Sequence, residues 1–218
     1  PGVPGSYERL KSSVTKAQRF MERWQIDTVL VTGRGEPLLN LRQVYGIVSY
    51  FGAPHQGTPR VELQTNGVLA TESVLFQLRQ DGLTTLAISA ASSDAKTSAR
   101  VMGAEPSFDF WRVLKEAQEM RLTTRLCLNL TQEELSVVNG YVPKGELTRW
   151  LIQIASKCEE YGVKQLTLRQ LGKPEIGFAG SNKAARWISK HGVSDHLMDG
   201  LRFTLSKYGV PIYTLPHG

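Results

Sequence analysis

The chain has 218 residues, 41% of them hydrophobic and 21% charged, and its 26 basic and 20 acidic side chains leave a net charge of +6. That is the make-up of an ordinary globular protein, long enough to bury a full core, and no apolar run approaches the length needed to span a bilayer. Two cysteines exclude a disulfide framework, so a cytoplasmic, reducing compartment is expected.

Residues 7–24 carry Leu10, Val14, Ala17, Met21 and Trp24 at helical spacing. The β-rich run Thr28–Thr32 follows and stops at Gly33. Asn40 is placed to cap a helix running to about residue 51. Arg60–Thr65 reads as a strand, and Asn66-Gly67 as a strand-to-helix loop, because a helical segment follows at 70–80. Leu83–Ser89 is the next strand, and a long loop is expected from Ala90 to Ser107. Phe110, Val113, Leu114, Ala117 and Met120 mark a helix, and Thr123–Leu130 a strand. Leu147, Trp150, Leu151, Ile154, Cys158 and Tyr161 form an amphipathic stripe that Gly162 closes. Val163–Leu171 reads as a strand. After it come a Gly-rich loop (172–182), about two weaker helices and a last strand, Val210–Leu215.

About six strands in βα alternation imply a parallel sheet covered by helices, in a single domain over 1–218. An open doubly wound sheet and a closed or partial barrel both satisfy the pattern, and both bind ligands at the carboxyl ends of their strands. The residues just past each strand therefore matter most. After the first strand stands Gly33-Arg34-Gly35-Glu36-Pro37. Its glycines let a ligand approach the backbone, Glu36 offers a carboxylate to a cationic group, and Pro37 can start the next helix.

That string resembles the Gly-Gly-Glu-Pro motif of radical S-adenosylmethionine (SAM) enzymes, and Gly-Arg-Gly-Glu-Pro-Leu-Leu-Asn is similar to the Gly-Met-Gly-Glu-Pro-Leu-Leu-Asn of their RNA-modifying adenine methyltransferases. Thr65-Asn66-Gly67, the strand ending at Ser89, Arg125-Leu126-Cys127-Leu128-Asn129 and Leu166-Thr167-Leu168-Arg169 resemble the next four strands of the superfamily, in order, over roughly residues 7–171. The resemblance implies an α/β fold, a partial (β/α)6-type barrel with parallel strands and outer helices. It implies a SAM site of Gly33, Gly35, Glu36, Pro37, Asn66, Ser89, Arg125, Asn129 and Arg169. There Glu36 holds the methionine amino group, Ser89 and Asn129 meet the ribose or methionine, and Arg125 or Arg169 pairs with the carboxylate. It also implies reductive cleavage of SAM to a 5′-deoxyadenosyl radical that takes hydrogen from a substrate. That chemistry needs a [4Fe-4S] cluster and a reductase, flavodoxin or ferredoxin as electron donor. The positive charge and the methyltransferase-like string slightly favour a nucleotide or RNA substrate, with peptide modification and activation of a partner enzyme by a glycyl radical left open.

The superfamily holds its cluster on Cys-x3-Cys-x2-Cys, and this chain has only Cys127 and Cys158. Both are expected to be buried small hydrophobes. Either the cysteines and the first strand precede Pro1, which the missing initiator Met favours, or the barrel has lost its cluster and binds SAM, a nucleotide or RNA without radical chemistry. His191 and His196 are five apart, not the spacing of a helical metal pair, and His55 and His217 stand alone. Gly177-Phe178-Ala179-Gly180 lacks a phosphate-loop pattern. Glu133, Glu134, Asp94 and Lys96 read as solvated loop charges.

Overall fold

The computed structural model describes residues 6–33, 35–53, 59–132, 134–135, 144–171, 181–192, 203–205 and 211–213. In chain order these form α1 (Ser6–Trp24), β1 (Thr28–Val31), a 3-10 turn (Pro37–Asn40), α2 (Leu41–Gly52), β2 (Arg60–Thr65), α3 (Glu72–Gln80) and β3 (Thr85–Ala90). Then come α4 (Ala95–Met102), α5 (Phe110–Glu119), β4 (Thr123–Leu130), α6 (Lys144–Glu160), β5 (Gln165–Gln170), α7 (Ser181–His191), β6 (Phe203–Leu205) and β7 (Pro211–Tyr213).

Five parallel strands hydrogen-bond in the order β1-β2-β3-β4-β5, with helices between successive strands. This is the α/β arrangement of a partial barrel. In register, Val31 stands opposite Leu63, and Leu63 opposite Leu86. Interior strands of a parallel sheet are covered on both faces. Accordingly β2 and β3 are almost wholly buried, whereas β1, at the sheet edge, leaves Leu30 exposed.

By internal contacts the chain divides into two compact units. One holds residues 1–89 and 110–125, the other 90–109 and 126–218. In the first, Val44, Val48, Leu75, Leu78, Phe110, Trp111 and Leu114 from α2, α3 and α5 are buried along with Val61, Leu63, Leu86 and Ile88 of the strands. The end of α2 meets the turn after α3 so closely that a Cβ on Gly82 (φ +104°) would lie 2.5 Å from the Gly52 Cα. Only glycine fits that crossing. In the second unit, Leu130, Leu135, Leu147 and Leu151 form a core against which Trp150 and Leu168 pack.

Caps explain several boundaries. The Asn40 side chain accepts from the Gln43 amide and starts α2, and Thr71 does the same for α3 through Val74. Gly162, at φ +69°, ends α6 in the left-handed conformation.

Two expectations are corrected. The loop predicted from Ala90 to Ser107 contains α4. Asp94 caps it through the Thr97 amide, and Gly103 terminates it at φ +67°. Its buried face is made of Ser98 and Ala99, so the apolar spacing that betrays a helix is absent. The last strand, expected in the parallel series, is β7. It pairs antiparallel with β6, Thr204 opposite Ile212, as a separate two-stranded sheet. With three residues, β6 is too short to show alternation. Of the two weaker helices expected near the C-terminus, α7 is present. The segments 172–180 and 193–202 lie outside the described residues.

Candidate functional site

The loop after β1 is organised around the Glu36 carboxylate. Glu36 is the N-cap of the 3-10 turn, with Pro37 as its first residue. Its Oε1 accepts from the Leu38 amide at 2.9 Å and from the Thr65 hydroxyl at 2.5 Å, and its Oε2 accepts from the Asn66 amide at 2.8 Å. Thr65 ends β2 and is itself buried, and its oxygen also accepts from the Gly67 amide at 3.1 Å. Asn66 completes the turn by accepting from the Val68 amide at 2.9 Å, and Gly67 sits at φ +82°. Two successive βα loops are thus joined through one carboxylate. A carboxylate oxygen has two lone pairs. Oε1 uses both on protein donors, and Oε2 keeps one for a further donor.

Gly33 and Gly35 flank this carboxylate in sequence. A Cβ on Gly35 would meet nothing within 4 Å, and one on Gly33 would come no closer than 3.8 Å to its neighbours. Neither has a positive φ. Neither the packing nor the backbone conformation of the described residues requires glycine there. Arg34 lies outside the described residues.

Ser89, at the end of β3, accepts from the Gln64 amide side chain at 2.9 Å. Arg125 Nη2 binds the Glu62 carboxylate, and its Nε is buried with no hydrogen-bond partner among the described residues. It is the third residue of β4, five residues from that strand's carboxyl end, or about 17 Å at roughly 3.3 Å per residue. Asn129 and Arg169 are the penultimate residues of β4 and β5, the first half-buried and the second exposed; both belong to the second unit.

The second unit has its own pinned carboxylate. Glu134, expected as a solvated charge, accepts from the Ser92 hydroxyl at 2.6 Å, the Ser93 amide at 3.0 Å and the Trp150 indole at 3.2 Å. Asp94 is the exposed cap of α4, and the Thr97 amide it accepts from holds its carboxyl below the usual range. Lys96 is exposed. Glu133, His55, His196, His217 and Gly177–Gly180 lie outside the described residues. Sequence reasoning missed Thr65 and Trp150, whose polar atoms only tertiary contact brings to their glutamates. Thr65 had one signal, its place beside Asn66-Gly67.

The cysteines do not fit an iron–sulfur cluster, which takes thiolates. Cys127 and Cys158 are both buried and unpaired. Burial pushes the Cys158 thiol up to about 11, away from the ligating form. Among the described residues no group of three His, Cys, Asp or Glu side chains is arranged for a metal ion. No described helix is long and apolar enough to cross a membrane.

Neither a protein-family model nor a curated protein sequence matches the chain. Solved structures do. Streptococcus suis SuiB bound to its precursor peptide SuiA is similar over 71% of this chain and 32% of that one, with a TM-score of 0.50 and 16% identity. The chain shares the α/β partial-barrel fold of that structure over most of its own length. SuiB bound to S-adenosylmethionine aligns over 74% of this chain and 34% of that one (TM-score 0.48, 12% identity). A domain of a pyruvate-formate lyase-activating enzyme from Bacteroides vulgatus aligns over 65% of this chain and 98% of that one (TM-score 0.43, 13% identity). The chain therefore spans about a third of the length of the SuiB structures. At such identities the likeness is one of fold.

Proposed function

We propose that this chain supplies the SAM-binding barrel of a radical SAM enzyme. The observation that carries the reading is the Glu36 carboxylate, fixed at the carboxyl end of the first two strands with a lone pair of Oε2 still open. An α-ammonium group has three N–H donors, and the carboxylate gives it a charge-assisted partner that costs no reorganisation. The unobstructed glycines at 33 and 35 leave room for the ligand's methionine end to approach the backbone. Asn66 and Ser89 stand at the ends of the next two strands of the same unit. The cluster's cysteines are not among these 218 residues, and the two present are unsuited to it. In a second reading, these residues bind SAM without radical chemistry.

Calorimetric titration with SAM and with methylthioadenosine, which lacks the amino-acid end, tests the site. Glu36→Gln is expected to weaken SAM by about tenfold or more and to leave methylthioadenosine unchanged, since a hydrogen bond between charged groups is worth about 1.5–3 kcal/mol. Equal SAM affinity for both proteins, or an equal loss for both ligands, removes Glu36 from the site.

A further inference from the structure

α1 turns an aromatic and basic face to solvent. The side it turns to the protein is marked by one buried residue and one exposed hydrogen bond. Val14 is buried, and the Gln18 side chain accepts from the Tyr50 hydroxyl of α2. A helix advances about 100° per residue. Phe20 and Trp24 therefore lie about 200° and 240° around the axis from Gln18, and Lys16, Arg19 and Arg23 between about 100° and 160°. All five side chains are exposed, Phe20 at 59% and Trp24 at 60%. The one acid between Lys11 and Trp24 is Glu22, about 40° from Gln18 and hydrogen-bonded to it at 3.0 Å. From Lys11 to Trp24 the outer face thus carries three cations, two large rings and no carboxylate. Asp27, just beyond the helix, is engaged by the Thr28 hydroxyl and by Arg60.

The rings are 6.1 Å apart and tilted 46°, and the Arg23 guanidinium lies 5.7 Å from the Trp24 ring centre. That separation leaves no slot between the rings, so each offers an outer face. From Lys16 to Trp24 the stripe runs about 12 Å at 1.5 Å per residue. Cations that track phosphates beside exposed rings on which bases stack are the elements of single-strand recognition.

We propose that this face of α1 binds single-stranded RNA, with Lys16, Arg19 and Arg23 on phosphates and Phe20 and Trp24 stacked on bases. An anionic membrane fits less well. An interfacial helix sinks its whole apolar stripe into lipid, and Val14 of this stripe is buried in the protein. A second copy of the chain fits less well too, because its own α1 brings the same positive charge. The proposal is independent of SAM binding.

Fluorescence anisotropy of the 218-residue chain with a labelled dodecauridine RNA, across a salt series, tests it. Phe20→Ser/Trp24→Ser is expected to lose about tenfold or more in affinity, since stacking contributes about that much per base. Lys16→Gln/Arg19→Gln/Arg23→Gln is expected to flatten the slope of log K against log salt by about 2, at roughly 0.7 per phosphate contact. Both variants, exposed on α1, are expected to keep the wild-type circular dichroism and SAM titration. No RNA binding by the wild type overturns the proposal, as does full affinity in the double variant. So does stronger binding to phosphatidylserine vesicles through the same residues, or self-association abolished by the double variant. RNA binding as expected in a chain that ignores SAM would sink the SAM site and leave this face standing.

Discussion

Replacing Thr65 by valine removes one oxygen and almost no volume, so it isolates the joint between the first two strand-end loops. In the native chain that hydroxyl donates to Glu36 and accepts from the buried Gly67 amide. The bond to an ionised carboxylate is worth about 1.5–3 kcal/mol, and an orphaned buried amide costs about 1–3 kcal/mol. The two losses share an atom and do not add fully. Against them stands an added buried methyl, near 0.8 kcal/mol. Thr65→Val is therefore expected to destabilise the unit holding β1 to β3 by about 2–4 kcal/mol. Urea unfolding reads this as a lower midpoint at unchanged slope. With the transition of a chain this size moving about 2–4 °C per kcal/mol, the melting temperature falls by roughly 5–15 °C. Thr65→Ser restores most of the loss. SAM affinity suffers less than in Glu36→Gln, because the carboxylate keeps its charge. A loss under about 1 kcal/mol, or no coupling between Thr65→Val and Glu36→Gln in a double-mutant cycle, would refute the reasoning.

Asp94→Ala removes the cap of α4 and is expected to cost about 1 kcal/mol at neutral pH. The folded Asp94 carboxyl is lowered, first by the Thr97 amide. Its contribution is thus present above the unfolded value near 3.9 and disappears as pH falls through the lower folded value. The gap between wild type and variant should be flat from pH 5 to 8 and close below about pH 4, and a gap that widens on acidification contradicts the cap. Cys127 and Cys158 should resist iodoacetamide until the chain is unfolded in urea, and added iron and sulfide should give these 218 residues no cluster absorbance. Rapid native labelling or a formed cluster would show that burial has been misread.

How legible was the fold? The α/β class and nearly every element of the first 170 residues follow from periodicity and punctuation. Asn40 before a helical stripe, Gly162 after one, and Val, Leu and Ile runs ending at Gly33 or Asn66-Gly67 are local signals with local causes. α4 escaped because its buried face is Ser98 and Ala99, small residues that leave no hydrophobic trace. β6 escaped because pairing with β7, rather than its own three residues, makes it a strand.

The candidate site divides in the same way. Residue type and position at a strand end made Glu36, Asn66 and Ser89 candidates, and the resemblance to the superfamily's order of strand ends is what joined them. Which lone pair of Glu36 remains open, that Arg125 is spent on Glu62, and that Glu134 is pinned rather than solvated were decided by contacts between residues 16 to 63 positions apart. Hydrophobic period and capping act over one or two turns, so sequence carries them. A hydrogen bond between side chains on different strands depends on the register and spacing of the sheet, and only the folded chain sets those.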